Sequence, residues 1–154
     1  EFLAQTAMFV GNGGIGIFGI DLVKPSKILN MAYNDPQGFT RDFNLNLLTR
    51  LNREFGANFD LKAFEHEAIY REDKCRIEMH LVSSRRQVVI LGGEIFQFSE
   101  GEKIHTENSY KYTKQSFERL AENSNFALKA FFTDDREYFG IAIVQYQFDT
   151  TKNF

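Results

Sequence analysis

A change of hydrophobic period midway along this chain limits the folds open to it. Between Phe39 and Phe55 the apolar residues recur at helical spacing. Phe39, Phe43, Leu47, Leu48, Leu51 and Phe55 fall on one stripe, and Gly56 follows as a left-handed cap. From Cys75 the period drops to two. Ile77, Met79 and Leu81 point one way and Arg76, Glu78 and His80 the other, as in a strand with one buried face. "RQVVIL" and "EIFQF" continue as strands around a tight turn at Gly92-Gly93. Helix returns over "TKQSFERLAEN", where Thr113 suits the N-cap. "FALKAFFT" and "FGIAIVQYQF" then form two strands around the polar turn "DDRE". Helices and strands mixed in this order predict an α/β fold.

The amino-terminal stretch "VGNGGIGIFGIDL" spells G-x-G-x-x-G at Gly11, Gly13 and Gly16. A nucleotide-binding turn of that spelling follows a strand and opens a helix, whose N-terminus then faces the anion. Here the order is reversed. "EFLAQTAMFV" has helical spacing, and "IGIFGIDLV" reads as a short buried strand. Asn12 and Gly13 fit a helix cap and turn, so the glycines read as scaffold. Next, "KPSKILNMAYND" predicts a short helix with Pro25 in its first turn and Ile28, Leu29, Ala32 and Tyr33 on one face. Asp35-Pro36 and Gly38 break the chain before the long helix.

Composition narrows the function classes. Hydrophobic residues make up 43% of the 154 and charged residues 25%, the balance of a soluble globular chain. A net charge of −3 gives no push toward nucleic acid or anionic membranes. The single Cys75 allows no internal disulfide, and one Cys with three His argues against a structural zinc cluster. No apolar run approaches the ~20 residues that cross a bilayer, and the first residues lack a basic signal region. A cytoplasmic setting is the expectation. The chain opens at Glu1, already inside an amphipathic segment and without Met, as a fragment would.

The strongest local constellation is "GEKIHTENSYKY". If Thr106 to Tyr110 is extended, Glu107 and Ser109 project from the same side, about 6.6–6.8 Å apart. A carboxylate accepts only, whereas a hydroxyl donates or accepts. The pair could therefore grip an imidazole, which has one N–H and one bare nitrogen; the other reading is a solvated edge strand. His105 with Glu107 imitates half of a zinc-deaminase motif, but that chemistry needs a second pair of cysteines. By periodicity Met79 is a core residue and Tyr33 an amphipathic-helix tyrosine whose hydroxyl could reach a carboxylate. His66 and His80 read as surface or sheet residues, and Cys75 has no catalytic signature around it.

Together "DLVKP", "AYND", "GFTRDFNLNLLTRLNREFGANFDLKAFEH", "RIEMHLVS", "HTENSYKY" and "FFTDDREYFG" resemble the C-terminal half of the histidine-specific methyltransferases. These enzymes use S-adenosylmethionine to convert L-histidine to its Nα-trimethyl form in ergothioneine biosynthesis. The resemblance implies roles for individual residues. Tyr33 would bind the substrate carboxylate, Met79 would pack against the imidazole, and Glu107 and Ser109 would hydrogen-bond its nitrogens. Thr40 and Phe43 would line the pocket. None of these residues would act as acid or base.

The same resemblance implies a partial Rossmann-like methyltransferase sheet with an inserted α+β substrate-binding domain. Residues 1–23 would be the tail of the cofactor domain, 24–111 the substrate-binding domain, and 112–154 the return to the sheet with its last helix and terminal hairpin. S-adenosylmethionine would be bound mainly by residues upstream, so the piece alone would turn nothing over. A small amino acid would be the partner, with no nucleic acid or membrane, and sheet edges left by truncation could promote self-association. Two alternatives stand beside this: the same fold acting on another amino acid, and a non-catalytic binding or assembly module.

Overall fold

The computed structural model describes residues 2–148. In chain order the elements are α1 (Phe2–Val10), β1 (Ile15–Asp21), α2 (Ser26–Tyr33), α3 (Phe39–Phe55), β2 (Phe64–Arg71) and β3 (Arg76–Ser83). There follow β4 (Gln87–Leu91), β5 (Glu94–Phe98), β6 (Lys103–Tyr110), α4 (Lys114–Glu122), β7 (Phe126–Thr133) and β8 (Phe139–Tyr146). They separate into a terminal unit, the chain up to Lys24 with that from Lys111 onward, and a central unit, Pro25–Tyr110. The fold is α/β, with small sheets whose neighbouring strands are antiparallel.

In the terminal unit the sheet order is β1–β8–β7, so β1 and β7 run parallel with β8 reversed between them. One face packs Ile20, Phe126, Ala142 and Val144 against Leu3 and Ala7 of α1 and Phe117 and Ala121 of α4. The fixed start of α4 comes from a reciprocal cap. Thr113 accepts from the Ser116 amide, and the Ser116 hydroxyl accepts from the Thr113 amide. The other sheet face carries Ile17, Phe132, Phe139 and Ile141, all exposed, with Ile17 at 70%. β1 was expected to be buried throughout; only its Phe18–Ile20 side is covered among the described residues.

In the central unit β2–β3–β6 form one sheet, and β4–β5 a separate hairpin that turns at Gly92 and Gly93, both with positive φ. α2 and α3 cover one face of the sheet. Leu29 of α2 meets Ala68, Ile77 and Met79, and Leu48 of α3 meets Phe64, Leu81 and Val89.

The structure corrects one expectation here. Of the predicted α3 stripe only Leu48 is fully buried; Phe39, Phe43 and Phe55 are exposed, and the other buried residue is Asn44. The helix is rolled so that the Asn44 amide reaches two acceptors on the sheet, which exposed phenylalanines could not replace. β2 carries no clear sequence signal, because His66 interrupts the inward row Phe64, Ala68, Tyr70.

Candidate functional site

Sheet register builds the site. Ala68, Met79 and Glu107 form one row across β2–β3–β6, and Tyr70, Ile77 and Ser109 form the next. Directly opposed residues share a sheet face, so Glu107 and Ser109 lie on the face that α2 and α3 cover.

A β-bulge puts them there. Pairing runs regularly to His80 opposite His105, then Met79 faces Glu107 and Thr106 is the extra residue. Without the extra residue the series would continue with Glu78 opposite Glu107 and Arg76 opposite Ser109. A slip of one reverses every side chain, so both groups would leave the covered face. The Thr106 hydroxyl donates to the Met79 carbonyl at 3.0 Å, tying the bulge to the neighbouring strand.

The proposed ligand residues fall into four places. The Tyr33 hydroxyl, at the end of α2, lies 2.8 Å from Ser109 Oγ. Met79 is buried in the cluster of Leu29, Ala68 and Ile77, with Tyr33 packed against it. Glu107 and Phe43 face each other across a cleft of about 210 Å³ between β6 and α3, which Leu47, Arg50 and Thr106 also line. No ion pair among the described residues engages the Glu107 carboxylate. Thr40 stands one turn before Phe43 and does not line the cleft. Its amide and that of Phe39 donate to Asp35, which thereby anchors the start of α3. The Thr40 amide above all holds the Asp35 carboxyl down at about 2.

Two larger clefts, of about 550 and 510 Å³, lie in the terminal unit and gather none of these residues. Volume alone does not mark a site; convergent polar groups do.

The Gly11–Gly16 turn offers no cradle. Gly11 and Gly13 take positive φ as the chain leaves α1, and the loop is stitched to β8 and its end. Gly13 N–H donates to the Tyr146 carbonyl at 3.0 Å, Tyr146 N–H to Gly14 at 2.9 Å, and the Gln145 amide to Gly13 at 3.0 Å. The element that follows it is the strand β1, not a helix.

Sequence reasoning missed three contributors. His66, read as a surface or sheet residue, hydrogen-bonds the Tyr33 carbonyl at 2.8 Å and the Asn44 amide at 3.0 Å. Asn34 exchanges two hydrogen bonds with the backbone of Ala68. Asn44 hid within a helical stripe, where only its clash with the apolar pattern could have signalled it. His80 sits on the opposite face, its ring stacked on His105 with centroids 4.8 Å apart. Burial pushes its pKa below the ordinary histidine value, and His105 adds to that.

The chain itself belongs to a known family. The sequence profile of the histidine-specific, SAM-dependent methyltransferases matches residues 1–146, and the chain is a member of that family. Among individual relatives, a histidine N-alpha-methyltransferase of Mycobacterium tuberculosis (strain CDC 1551 / Oshkosh) is 35% identical over 145 residues, covering 93% of this chain and 45% of that protein. The protein of the same name from Mycolicibacterium smegmatis is 36% identical over 146 residues, with the same coverage of 93% and 45%. Ergothioneine biosynthesis protein 1 of Schizosaccharomyces pombe is 30% identical over 113 residues, 73% of this chain and 15% of that protein. The chain thus spans less than half the length of the curated relatives it matches.

Proposed function

We propose that this chain carries most of the imidazole and carboxylate recognition of a histidine Nα-methyltransferase. The observation that carries the proposal is the bulged register, which sets Glu107 and Ser109 two positions apart on the covered face with Tyr33 against Ser109. The Glu107 carboxylate accepts the ring N–H of histidine and the Ser109 hydroxyl donates to the bare ring nitrogen. Tyr33 takes the substrate carboxylate, Met79 supports the ring from beneath, and Phe43 completes the wall, while Thr40 acts from outside the cleft by fixing the start of α3 on Asp35. An analogue without ring nitrogens would leave the half-buried Glu107 carboxylate without its donor, which is how such a site discriminates.

Family membership implies S-adenosylmethionine as methyl donor. The stitched glycine turn of this chain does not fit it, so the cofactor would be held mainly by residues upstream. On this reading the β1–β8–β7 sheet with α1 and α4 is part of a Rossmann-like cofactor domain, and the central unit is an inserted substrate-binding domain. The residues described here hold the amino acid still. Positioning is the main demand of a displacement at an amine.

The test is calorimetry with the full-length protein. Glu107→Ala should weaken histidine binding on the order of a hundredfold, the effect of losing a charge-assisted hydrogen bond. Near-normal affinity would remove the assignment. A thermal-shift panel of amino acids separates histidine from other substrates, and a flat response across the panel would favour a non-catalytic module.

A further inference from the structure

Tyr33 is the last residue of α2, so its carbonyl has no partner within the helix. The partner comes from the edge of β2. His66 Nε2 lies 2.8 Å from that oxygen, and His66 Nδ1 lies 3.0 Å from the side-chain amide of Asn44. A carbonyl only accepts, so Nε2 must carry the hydrogen; neutral imidazole then leaves Nδ1 as acceptor, which suits an amide donor. The second hydrogen of the same Asn44 amide goes to the His80 carbonyl at 3.0 Å. Asn44 is 3% exposed, so an unmatched group here would be costly. The hydrogen bonds thus run from α3 through β2 to α2 and admit a single tautomer.

The neighbouring contacts fix the backbone on either side. Asn34 gives its amide to the Ala68 carbonyl at 2.9 Å and accepts from the Ala68 amide at 3.2 Å. Asn30 accepts from the Tyr70 amide at 3.1 Å. The end of α2 therefore lies along β2 as a further strand would, satisfying an edge that would otherwise be open. Both asparagines hold α2 by main-chain contacts of β2. At Tyr33 a polar side chain of β2 hydrogen-bonds the helix, with a buried side chain of α3 behind it.

We infer that His66 is a positioning residue for Tyr33, held by Asn44 in the Nε2–H tautomer so that the tyrosine hydroxyl stays beside Ser109. This rests on the reading of Tyr33 and Ser109 as substrate-binding residues. Asn44 is the immediate neighbour of Phe43, so the helix that forms one wall of the Glu107 cleft also sets the tyrosine.

The test uses the full-length protein with His66→Gln, His66→Asn and Asn44→Leu. A glutamine amide reaches the Nε2 position and can still donate to Tyr33; an asparagine amide reaches only the Nδ1 position. His66→Gln should keep KM for histidine within about threefold of wild type, whereas His66→Asn should raise it on the order of tenfold with kcat little changed, as expected for lost uniform binding. The two variants should melt at similar temperatures. Equal KM values, whether both normal or both raised, overturn the inference. Imidazole 15N shifts of His66 give a readout that needs no substrate. An Nε2–H tautomer in wild type that becomes a mixture in Asn44→Leu supports the wiring, and an Nδ1–H tautomer overturns it. Failure of the wild-type protein to bind histidine would instead overturn the substrate reading.

Discussion

The two units bury different kinds of side chain. The terminal unit packs a core of aliphatic and aromatic residues between one sheet face and two helices, and its buried polar residue among those described is Lys111. The central unit splits its apolar core into two smaller clusters and buries Asn44, Glu78 and Ser83. Asparagine side chains there do much of the joining. Asn30, Asn34, Asn44, Asn52 and Asn58 each bond a backbone group on another segment. Apolar contact is tolerant of direction, whereas an amide has two donors and one acceptor at fixed angles. The first kind of packing makes a scaffold; the second holds particular atoms in register, which recognition of a polar ring requires.

Emptying the terminal core should break that contrast most forcefully. Phe126 is 1% exposed and packs within the terminal cluster, on the sheet face that α1 and α4 cover. Phe126→Ala should cost about 3–5 kcal/mol in chemical denaturation. Histidine affinity of the protein that remains folded should stay unchanged. If affinity falls in step with stability, the recognition geometry depends on the terminal core and the contrast fails.

The buried charge of the terminal unit comes next. Asp21, at the end of β1, pairs with Lys111 at 2.8 Å and with Lys24; the Lys111 side chain is fully buried. Burial pushes the Asp21 carboxyl up, but the hydrogen bonds and charges of Lys111 and Lys24 outweigh it and leave the pKa below the ordinary value of 3.8. Ionised Asp21 therefore adds stability that is complete above the unfolded-state pKa and disappears as pH falls through the lower folded-state value. Asp21→Asn leaves the lysine without its carboxylate and should cost about 3 kcal/mol at neutral pH. Denaturation between about pH 5 and 2 should show a shallower acid limb in the variant than in wild type. An unchanged limb would mean that other carboxylates, such as Asp35 with its pKa near 2, carry the acid sensitivity.

What the sequence made legible follows the same division. The long helix, the Ile77–Met79–Leu81 alternation, the Thr113 cap and the closing hairpin all announce themselves by apolar period or a local cap. These are signals written within one segment. β2 and the inward face of α3 do not, because their burial is decided by His66 and Asn44 meeting across 22 residues. The pairing of Glu107 with Ser109 was readable from a two-residue spacing, but which face they occupy was not. That depends on an extra residue at Thr106, visible only once β3 and β6 are aligned.

Thr106 therefore gives the smallest and most pointed test. Valine keeps its β-branched shape and removes the hydroxyl that donates to the Met79 carbonyl. The stability loss should be about 1 kcal/mol, the usual worth of one such hydrogen bond, well below that of Phe126→Ala or Asp21→Asn. Histidine affinity should nevertheless fall severalfold in Thr106→Val and return in Thr106→Ser, because the bulge decides which way Glu107 and Ser109 point. A valine variant that binds histidine normally would show that the Met79–Glu107 and Ile77–Ser109 pairs hold the register unaided, and that the hydroxyl only decorates it. A variant that loses stability as heavily as Phe126→Ala would instead place Thr106 in the scaffold. The contrast between tolerant core and wired face would then have to be redrawn at β6.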